Sequence, residues 1–342
     1  MLMHSRAQAL LVGVAVLMGI LAVGVAAAIS RPLVDPDGFL GPSWFRLPAL
    51  FVGAFVVDVV PRATWVSRRD RIGWMSAARA RVATHWTRER LLLVILGLVS
   101  FYVTYVCYRN LKSFLPLVLG LDKYDRVLHV IDKALFFGAE PAVVVHQIFG
   151  TTITAHILSA IYLWFLPLVP LVLTGWLIWS RRVSYGYWFV IAQVLAWALG
   201  TASYYLLPTQ GPGFRYSWLY VDLARTPTTQ LMDGLARGRK DVLYSSFETT
   251  VQSVAGFASL HCAITLLFAL MAQYTIKAAW VHWITWINFG LTIVATLYFG
   301  WHYILDDVAG IIIALIAFRV GAWATQDDFS WRKVKSREVT TV

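Results

Sequence analysis

The segment Gly300-Trp301-His302-Tyr303-Ile304-Leu305-Asp306-Asp307-Val308-Ala309-Gly310 puts a histidine and a carboxylate at the start of an apolar run. The run predicts a helix over residues 303–323. With four-residue spacing, His302 and Asp306 would lie on one helical face, within hydrogen-bonding reach. A carboxylate bound to one imidazole nitrogen fixes the tautomer and leaves the other nitrogen free as a nucleophile or base. The alternative is a polar helix start that only anchors a membrane span at the interface.

The composition of the 342-residue chain indicates a polytopic membrane protein. Hydrophobic residues make up 59% and charged residues 14%, whereas a soluble domain carries about a quarter charged residues. The net charge of +11 is explained by arginines that flank apolar segments, so we expect no nucleic-acid partner. Cys107 and Cys262 lie in apolar stretches without metal-ligand spacing, which favours buried free thiols over a disulfide.

Apolar runs of about 20 residues predict eight transmembrane helices and an all-α fold. The first run is longer than the apolar region of a usual signal peptide, so we interpret it as a span. The predicted spans cover residues 7–29, 47–60, 91–107, 157–179, 185–207, 257–276, 280–300 and 303–323. The second is short for a span, and the stretches 114–121 and 142–149 are too short to cross. We divide the chain into N-terminal spans with a basic loop (1–107), a membrane domain (108–326) and a basic tail (327–342).

The distribution of arginines predicts the orientation. The loop from Arg62 to Arg90 contains eight arginines and two acidic residues. Because basic loops stay in the cytoplasm, this loop and both termini are predicted to lie on the cytoplasmic side of the cell membrane. His261 and His302 then face the extracytoplasmic side. The loop is also expected to contact anionic lipid headgroups.

Two further segments on the outer side carry candidate residues. Ala258-Ser259-Leu260-His261 opens the sixth predicted span, where His261 could protonate a leaving group and the helix start favours an anion. Pro208-Thr209-Gln210-Gly211-Pro212-Gly213-Phe214-Arg215 forms a stiff loop, and the planar fork of Arg215 suits phosphate oxygens. The alternatives are an interfacial histidine and an ordinary turn with an interfacial arginine.

Together the three segments resemble the type 2 phosphatidic acid phosphatase superfamily. Within it they are most similar to the inositol phosphorylceramide synthase-like (inositolphosphotransferase) branch, which implies a six-helix core of that type. The branch patterns are matched by Ser259-Leu260-His261, by His302-Tyr303-x-x-Asp306 and by the Pro208–Arg215 loop, and less specifically by residues 108–112. The chain departs from the wider superfamily in having Ala258-Ser259-Leu260-His261 for Pro-Ser-Gly-His and Ala295-Thr296 for a Ser-Arg pair. It also lacks the lysine of the first superfamily motif.

The resemblance implies a membrane lipid phosphotransferase that uses a phosphohistidine intermediate and no metal or other cofactor. His302 would be the nucleophile, Asp306 its orienting carboxylate and His261 the acid and base. Arg215 would bind the phosphate, assisted by Ser259, Arg109 and Lys112. The donor would be a lipid with a phosphoryl group or phospho-headgroup, phosphoinositol among the candidates, and the acceptor an alcohol.

Two alternatives to this function stay open. A phosphatase acting on a (poly)prenyl or glycerolipid phosphate would use the same residues, with water as the acceptor. A transporter or scaffold could keep the fold without the chemistry. Transporters usually place charges in the middle of their spans, and these spans have almost none there, which argues against transport.

Overall fold

The computed structural model describes residues 4–35, 43–120, 124–244, 254 and 256–327, and all regular secondary structure among them is helical. Among these described residues, seven helices are long and apolar enough to cross a membrane: α1, α2, α4, α7, α8, α12 and α13. The fold class predicted from the sequence, an all-α polytopic membrane protein, is confirmed. The helices are α1 (Ser5–Ala28), α2 (Ser43–Asp70), α3 (Trp74–His85), α4 (Arg88–Leu119), α5 (Asp125–Leu135), α6 (Pro141–Phe149), α7 (Ile153–Trp179), α8 (Val183–Leu206), α9 (Pro212–Arg215), α10 (Pro227–Tyr244), α11 (Leu260–Thr275), α12 (Ala279–Tyr298) and α13 (Ile304–Thr325).

The second and the sixth predicted spans differ in length from the helices observed. The second, predicted short, is the 28-residue helix α2, which runs on into the arginine-rich segment. The sixth is the 16-residue helix α11. At 1.5 Å per residue α11 is about 24 Å long, which is less than the hydrocarbon thickness of about 30 Å. It is nevertheless apolar, and most of its residues are buried against neighbouring helices of the bundle.

Helix α4 joins two stretches that the sequence separated, the span 91–107 and the short apolar stretch 114–121. The polar turn between them suggested a loop, but the helix is continuous from Arg88 to Leu119. Its polar side chains have partners: Asn110 donates to the carbonyl of Val34 and accepts from its N–H, at 2.7 and 2.9 Å. The predicted domain boundary between residues 107 and 108 therefore falls inside one helix.

Helix α8 is the centre of the bundle because it is apolar on nearly all faces. Its residues from Tyr185 to Val194 are all buried, and it packs against α1, α4, α7, α11 and α13. The indole N–H of Trp188 donates to the carbonyl of Phe318 on α13 at 2.7 Å. The N-terminal helix α1 also contacts α4 and α13, so it is part of the bundle.

The arginine-rich ends of the helices meet around the buried carboxylate of Asp58 on α2. Asp58 is fully buried and accepts two hydrogen bonds from Arg81, one from Trp86 and one from Trp179. Arg62 pairs with the same carboxylate. This end of the bundle collects the C-terminal ends of α2 and α7 together with α3. His261, in the first turn of α11, and His302, just before α13, lie at the other end of the bundle.

Candidate active site

The three segments singled out in the sequence converge at one end of the bundle. Backbone hydrogen bonds join the loop 208–213 to the loop 299–303 and to the segment 256–259, and they join that segment to the first turn of α13. The bonds run from Gly213 N to Gly300 O (2.7 Å), from Gly256 N to Thr209 O (2.8 Å) and from Ser259 N to Asp306 O (2.9 Å). The site is therefore built on backbone contacts between loops distant in sequence.

Two glycines allow the loops to approach each other. Gly211 has φ of +96° and Gly300 has φ of +70°, a region that L residues with a side chain rarely adopt. A Cβ on Gly211 would also lie 2.4 Å from the carbonyl oxygen of Trp301. The Gly-Pro loop after α8 thus supports the backbone next to His302.

Helix α5 holds both loops with two buried aspartates that the sequence analysis did not assign to the site. Asp125 accepts from the N–H groups of Gln210 and Gly211 and from the hydroxyl of Tyr303 at 2.9 Å. Asp132 accepts from the N–H of Ile304, the first residue of α13, at 3.2 Å. Their seven-residue spacing puts both on one face of α5, which was the available signal.

Burial raises the pKa of Asp132 to about 7. The N–H of Ile304 opposes this shift, and the nearby carboxylates Asp306 and Asp307 add to it. The carboxyl group therefore titrates near neutral pH.

His302 and Asp306 lie close together, but they do not share one face of a helix as the sequence predicted. Helix α13 begins at Ile304, so His302 precedes the helix instead of lying on its face. Asp306 Oδ2 accepts the backbone N–H of Tyr303 at 2.9 Å and lies 3.4 Å from His302 Nδ1. That separation exceeds the roughly 2.7–2.9 Å of a charge-assisted hydrogen bond, and Nδ1 makes no hydrogen bond within the described chain. Asp306 Oδ1 likewise has no partner among the described residues.

The adjacent carboxylate, Asp307, is fixed in a separate network. Its Oδ1 accepts from the thiol of Cys262 and its Oδ2 from the hydroxyl of Thr296, both at 2.9 Å.

Burial lowers the pKa of His302 to about 4; the charge of Asp307 opposes this shift and that of Lys112 adds to it. His302, in the connection between α12 and α13, is therefore neutral at pH 7. A neutral imidazole has one ring nitrogen with a free lone pair, which can act as a nucleophile.

His261 lies next to His302, on the first turn of α11. The centroids of the two rings are 6.4 Å apart. Tyr162 of α7 stacks between His261 and Trp301, at centroid distances of 4.3 and 5.1 Å. Its hydroxyl is 3.4 Å from His261 Nδ1, which leaves Nε2 as the nitrogen available to a ligand.

Both histidines line a cavity of about 340 Å³ between α2, α4 and α7. Arg109 and Lys112 of α4, which the resemblance suggests as phosphate ligands, line it as well. The ammonium group of Lys112 lies 5.8 Å from the ring centroids of both Tyr108 and Tyr204. No aspartate or glutamate of the described residues lines this cavity, so its charge is positive.

Two of the predicted phosphate ligands lie outside the cavity. Arg215, at the end of α9, is exposed and is not a lining residue. Ser259 is fully buried, and its hydroxyl accepts the N–H of Cys262 as the N-cap of α11. Of the four predicted phosphate ligands, Lys112 and Arg109 therefore line the cavity, and Arg215 and Ser259 do not.

A family model described as the PAP2 superfamily matches residues 126–320, more than half of the chain. The chain belongs to the PAP2 superfamily. Membership confirms the superfamily part of the resemblance and indicates an enzyme of lipid phosphatase or phosphotransferase type. The inositol phosphorylceramide synthase-like branch stays a prediction. No curated protein and no solved structure matches the chain.

The part of this PAP2 protein that the family model matches contains His261, His302 and Asp306, but it begins after α4. Lys112 and Arg109 therefore come from outside the matched range. Within the described ranges, no group of three His, Cys, Asp or Glu side chains is arranged to hold a metal ion.

Proposed function

We propose that the protein is a lipid phosphotransferase that works through a phosphohistidine at His302. The observation that carries this proposal is the meeting of His302, His261 and Lys112 in one cavity of about 340 Å³ that is otherwise mostly apolar. A nucleophile, an acid–base group and a cation are the groups that transfer of a phosphoryl group requires. The apolar walls suit the hydrocarbon part of a lipid.

In the first half-reaction, a neutral nitrogen of His302 forms a bond to the phosphorus of the donor, and the bond from phosphorus to the leaving oxygen breaks. Protonated His261 gives its proton to that oxygen, so the leaving group departs as an alcohol. Asp306 stabilises the imidazole as positive charge develops on it, provided that the 3.4 Å separation shortens when the substrate is bound. Lys112 offsets the negative charge on the non-bridging oxygens.

In the second half-reaction, His261 is the base. It takes the proton from an incoming alcohol, whose oxygen forms a bond to phosphorus while the bond to His302 breaks. Water could enter in the same way, which would make the enzyme a phosphatase. We favour an alcohol acceptor, and a phosphoinositol group as one candidate headgroup, because the Ser-Leu-His and His-Tyr-x-x-Asp patterns resemble the inositolphosphotransferase branch.

We also propose that the protein lies in the cell membrane and that its site faces away from the cytoplasm. The arginine-rich ends of α2, α3 and α4 meet at the end of the bundle opposite His302. By the positive-inside rule that end is cytoplasmic. The same end would bring the exposed arginines between Arg62 and Arg90 to anionic lipid headgroups.

The reaction can be tested with purified protein in lipid vesicles, using a labelled donor and increasing concentrations of an alcohol. If water and the alcohol both react with one phosphoenzyme, the labelled transfer product should replace the labelled hydrolysis product as the alcohol concentration rises. His302→Ala should form neither product. The alternative reading, a scaffold without catalysis, predicts no turnover in the wild type; full turnover in His302→Ala would contradict the proposed nucleophile.

A further inference from the structure

Arg46, on the first turn of α2, brings a third cationic side chain to the cavity. It lines the same space as His261 and His302, and its side chain is only 11% exposed. The guanidinium lies over the ring of Tyr102, 5.4 Å from the centroid. Among the described residues its nearest carboxylate is the partly exposed Asp35, which forms an ion pair with it at 3.9 Å, a separation beyond the range of a hydrogen bond.

Buried N–H groups without acceptors mark the cavity wall. Arg46 Nη2, Trp197 Nε1 and Trp301 Nε1 make no hydrogen bond within the part of the chain that the structure describes, and all three residues line the cavity. A buried donor without an acceptor is destabilising. Since no described carboxylate lines the cavity, oxygen atoms of a ligand are the acceptors that fit.

The positions along α4 separate Arg46 from the reacting end. Tyr102, which Arg46 covers, precedes Lys112 by ten residues on one continuous helix. At 1.5 Å per residue the two levels are about 15 Å apart along the helix axis. The indole of Trp197 contacts Tyr105 and Tyr108 and so lies between these levels. Because Trp197 lies between them, we assign Arg46 to a different group from the phosphate held at Lys112.

We propose that the cavity binds a lipid with a second anionic group, a phosphate or a carboxylate, and that Arg46 is the subsite for it. The planar fork of an arginine suits either group. This proposal rests on the proposed function, because it assigns the His302 end of the cavity to the reacting phosphate. Arg46 lies outside the range that the family model matches, so the subsite would be a specificity determinant of this chain.

Binding of two phosphonates tests the proposal without turnover, because an enzyme cannot transfer a phosphorus bonded to carbon by this route. One ligand is an alkyl phosphonate, and the other has the same chain with a carboxylate at its far end. Dissociation constants are measured by calorimetry in nanodiscs over a series of chain lengths. At the best length we expect the carboxylate to tighten binding to wild-type protein about tenfold, as one charged hydrogen bond allows.

The variants assign that gain to Arg46. Arg46→Gln should abolish it while binding the simple alkyl phosphonate as tightly as the wild type, which also reports that the variant is folded. Arg46→Lys, which keeps the charge and loses the fork, should retain part of it. Arg225→Gln, which removes an exposed arginine outside the cavity, should keep the full gain.

Three results would overturn the proposal. The first is no gain from the carboxylate at any chain length, and the second is an equal gain in Arg46→Gln. The third is the same gain from a mixture of separate alkyl phosphonate and alkyl carboxylate, because the second anion would then belong to another molecule. Failure of the simple phosphonate to bind would also contradict the phosphate site of the proposed function, so the two failures are distinguishable.

Discussion

Lys112 and Arg215 are the residues for which sequence and structure give different assignments. The resemblance favours Arg215 as the phosphate ligand, whereas the structure puts Lys112 on the cavity wall and leaves Arg215 exposed. The difference arises because α4 continues through a polar turn that the sequence suggested was a loop. Activity of matched variants can decide between the two.

We expect Lys112→Met to lower kcat by about 10²–10³-fold, the usual loss when one charge-stabilising group is removed from a transition state. Arg215→Met should change it by less than about threefold, since surface substitutions have small effects. Both are measured with the same labelled donor in vesicles. A severe loss in Arg215→Met with near-normal Lys112→Met would restore the assignment from sequence.

Asp132 predicts a dependence of stability on pH. Its folded-state pKa is raised from 3.8 to about 7, so the folded protein binds this proton more tightly than the unfolded chain. Its contribution to stability is therefore fully present below pH 3.8 and is lost as the pH rises through about 7. Asp132→Asn keeps an oxygen acceptor for the N–H of Ile304 and removes the titration.

The wild-type Tm, measured in detergent as the pH is raised through neutrality, should fall relative to that of Asp132→Asn, because only the wild type acquires a buried negative charge at position 132. The difference between the two proteins should be largest above pH 7. Parallel pH profiles of Tm would contradict the assigned titration.

At the scale of elements, α2, α3 and α7 are held together by one carboxylate. Asp58 is fully buried and accepts hydrogen bonds from Arg81, Trp86 and Trp179. Removing one partner of a buried charge pair costs about 3–5 kcal/mol, because the other charge is left uncompensated. This cluster is far from the histidine end, so its loss should act on stability and not on the chemistry.

Asp58→Ala should therefore lower the free energy of unfolding by about 3–5 kcal/mol. Turnover per folded molecule at low temperature should stay close to that of the wild type. Thermal unfolding in detergent and activity normalised to folded protein are the two measurements. A loss of turnover without a loss of stability would mean that the cluster communicates with the site.

At the scale of the whole molecule, orientation can be read from two cysteine substitutions. Ser217 and Gln326 are both exposed, whereas the native Cys107 and Cys262 are buried and should give little background. In sealed right-side-out vesicles, an impermeant maleimide should label Ser217→Cys and spare Gln326→Cys. Opening the vesicles should expose both. Labelling of Gln326→Cys alone in sealed vesicles would reverse the topology and the side of the substrate.

Much of this architecture could be predicted because each span carries its own signal. The apolar runs identified the spans, and the His302 and His261 segments were recognised through their resemblance to one superfamily. The predictions that failed depend on contacts between elements. Asp306 accepts a hydrogen bond from the N–H of Tyr303, and α13 begins at Ile304, so His302 lies before the helix and not on its face. Asp125 and Asp132 join the site only because α5 docks against two distant loops, and no local pattern encodes that docking.

The central claim is that His302 carries the phosphoryl group during turnover. Rapid quenching of the enzyme with a phosphorus-labelled lipid donor, followed by peptide mapping, tests it most directly. We predict an acid-labile, base-stable phosphate on the peptide containing His302. The label should persist longer in His261→Ala, where breakdown lacks its base, and be absent in His302→Ala. Label on any other residue, or turnover with no labelled protein, would contradict the mechanism.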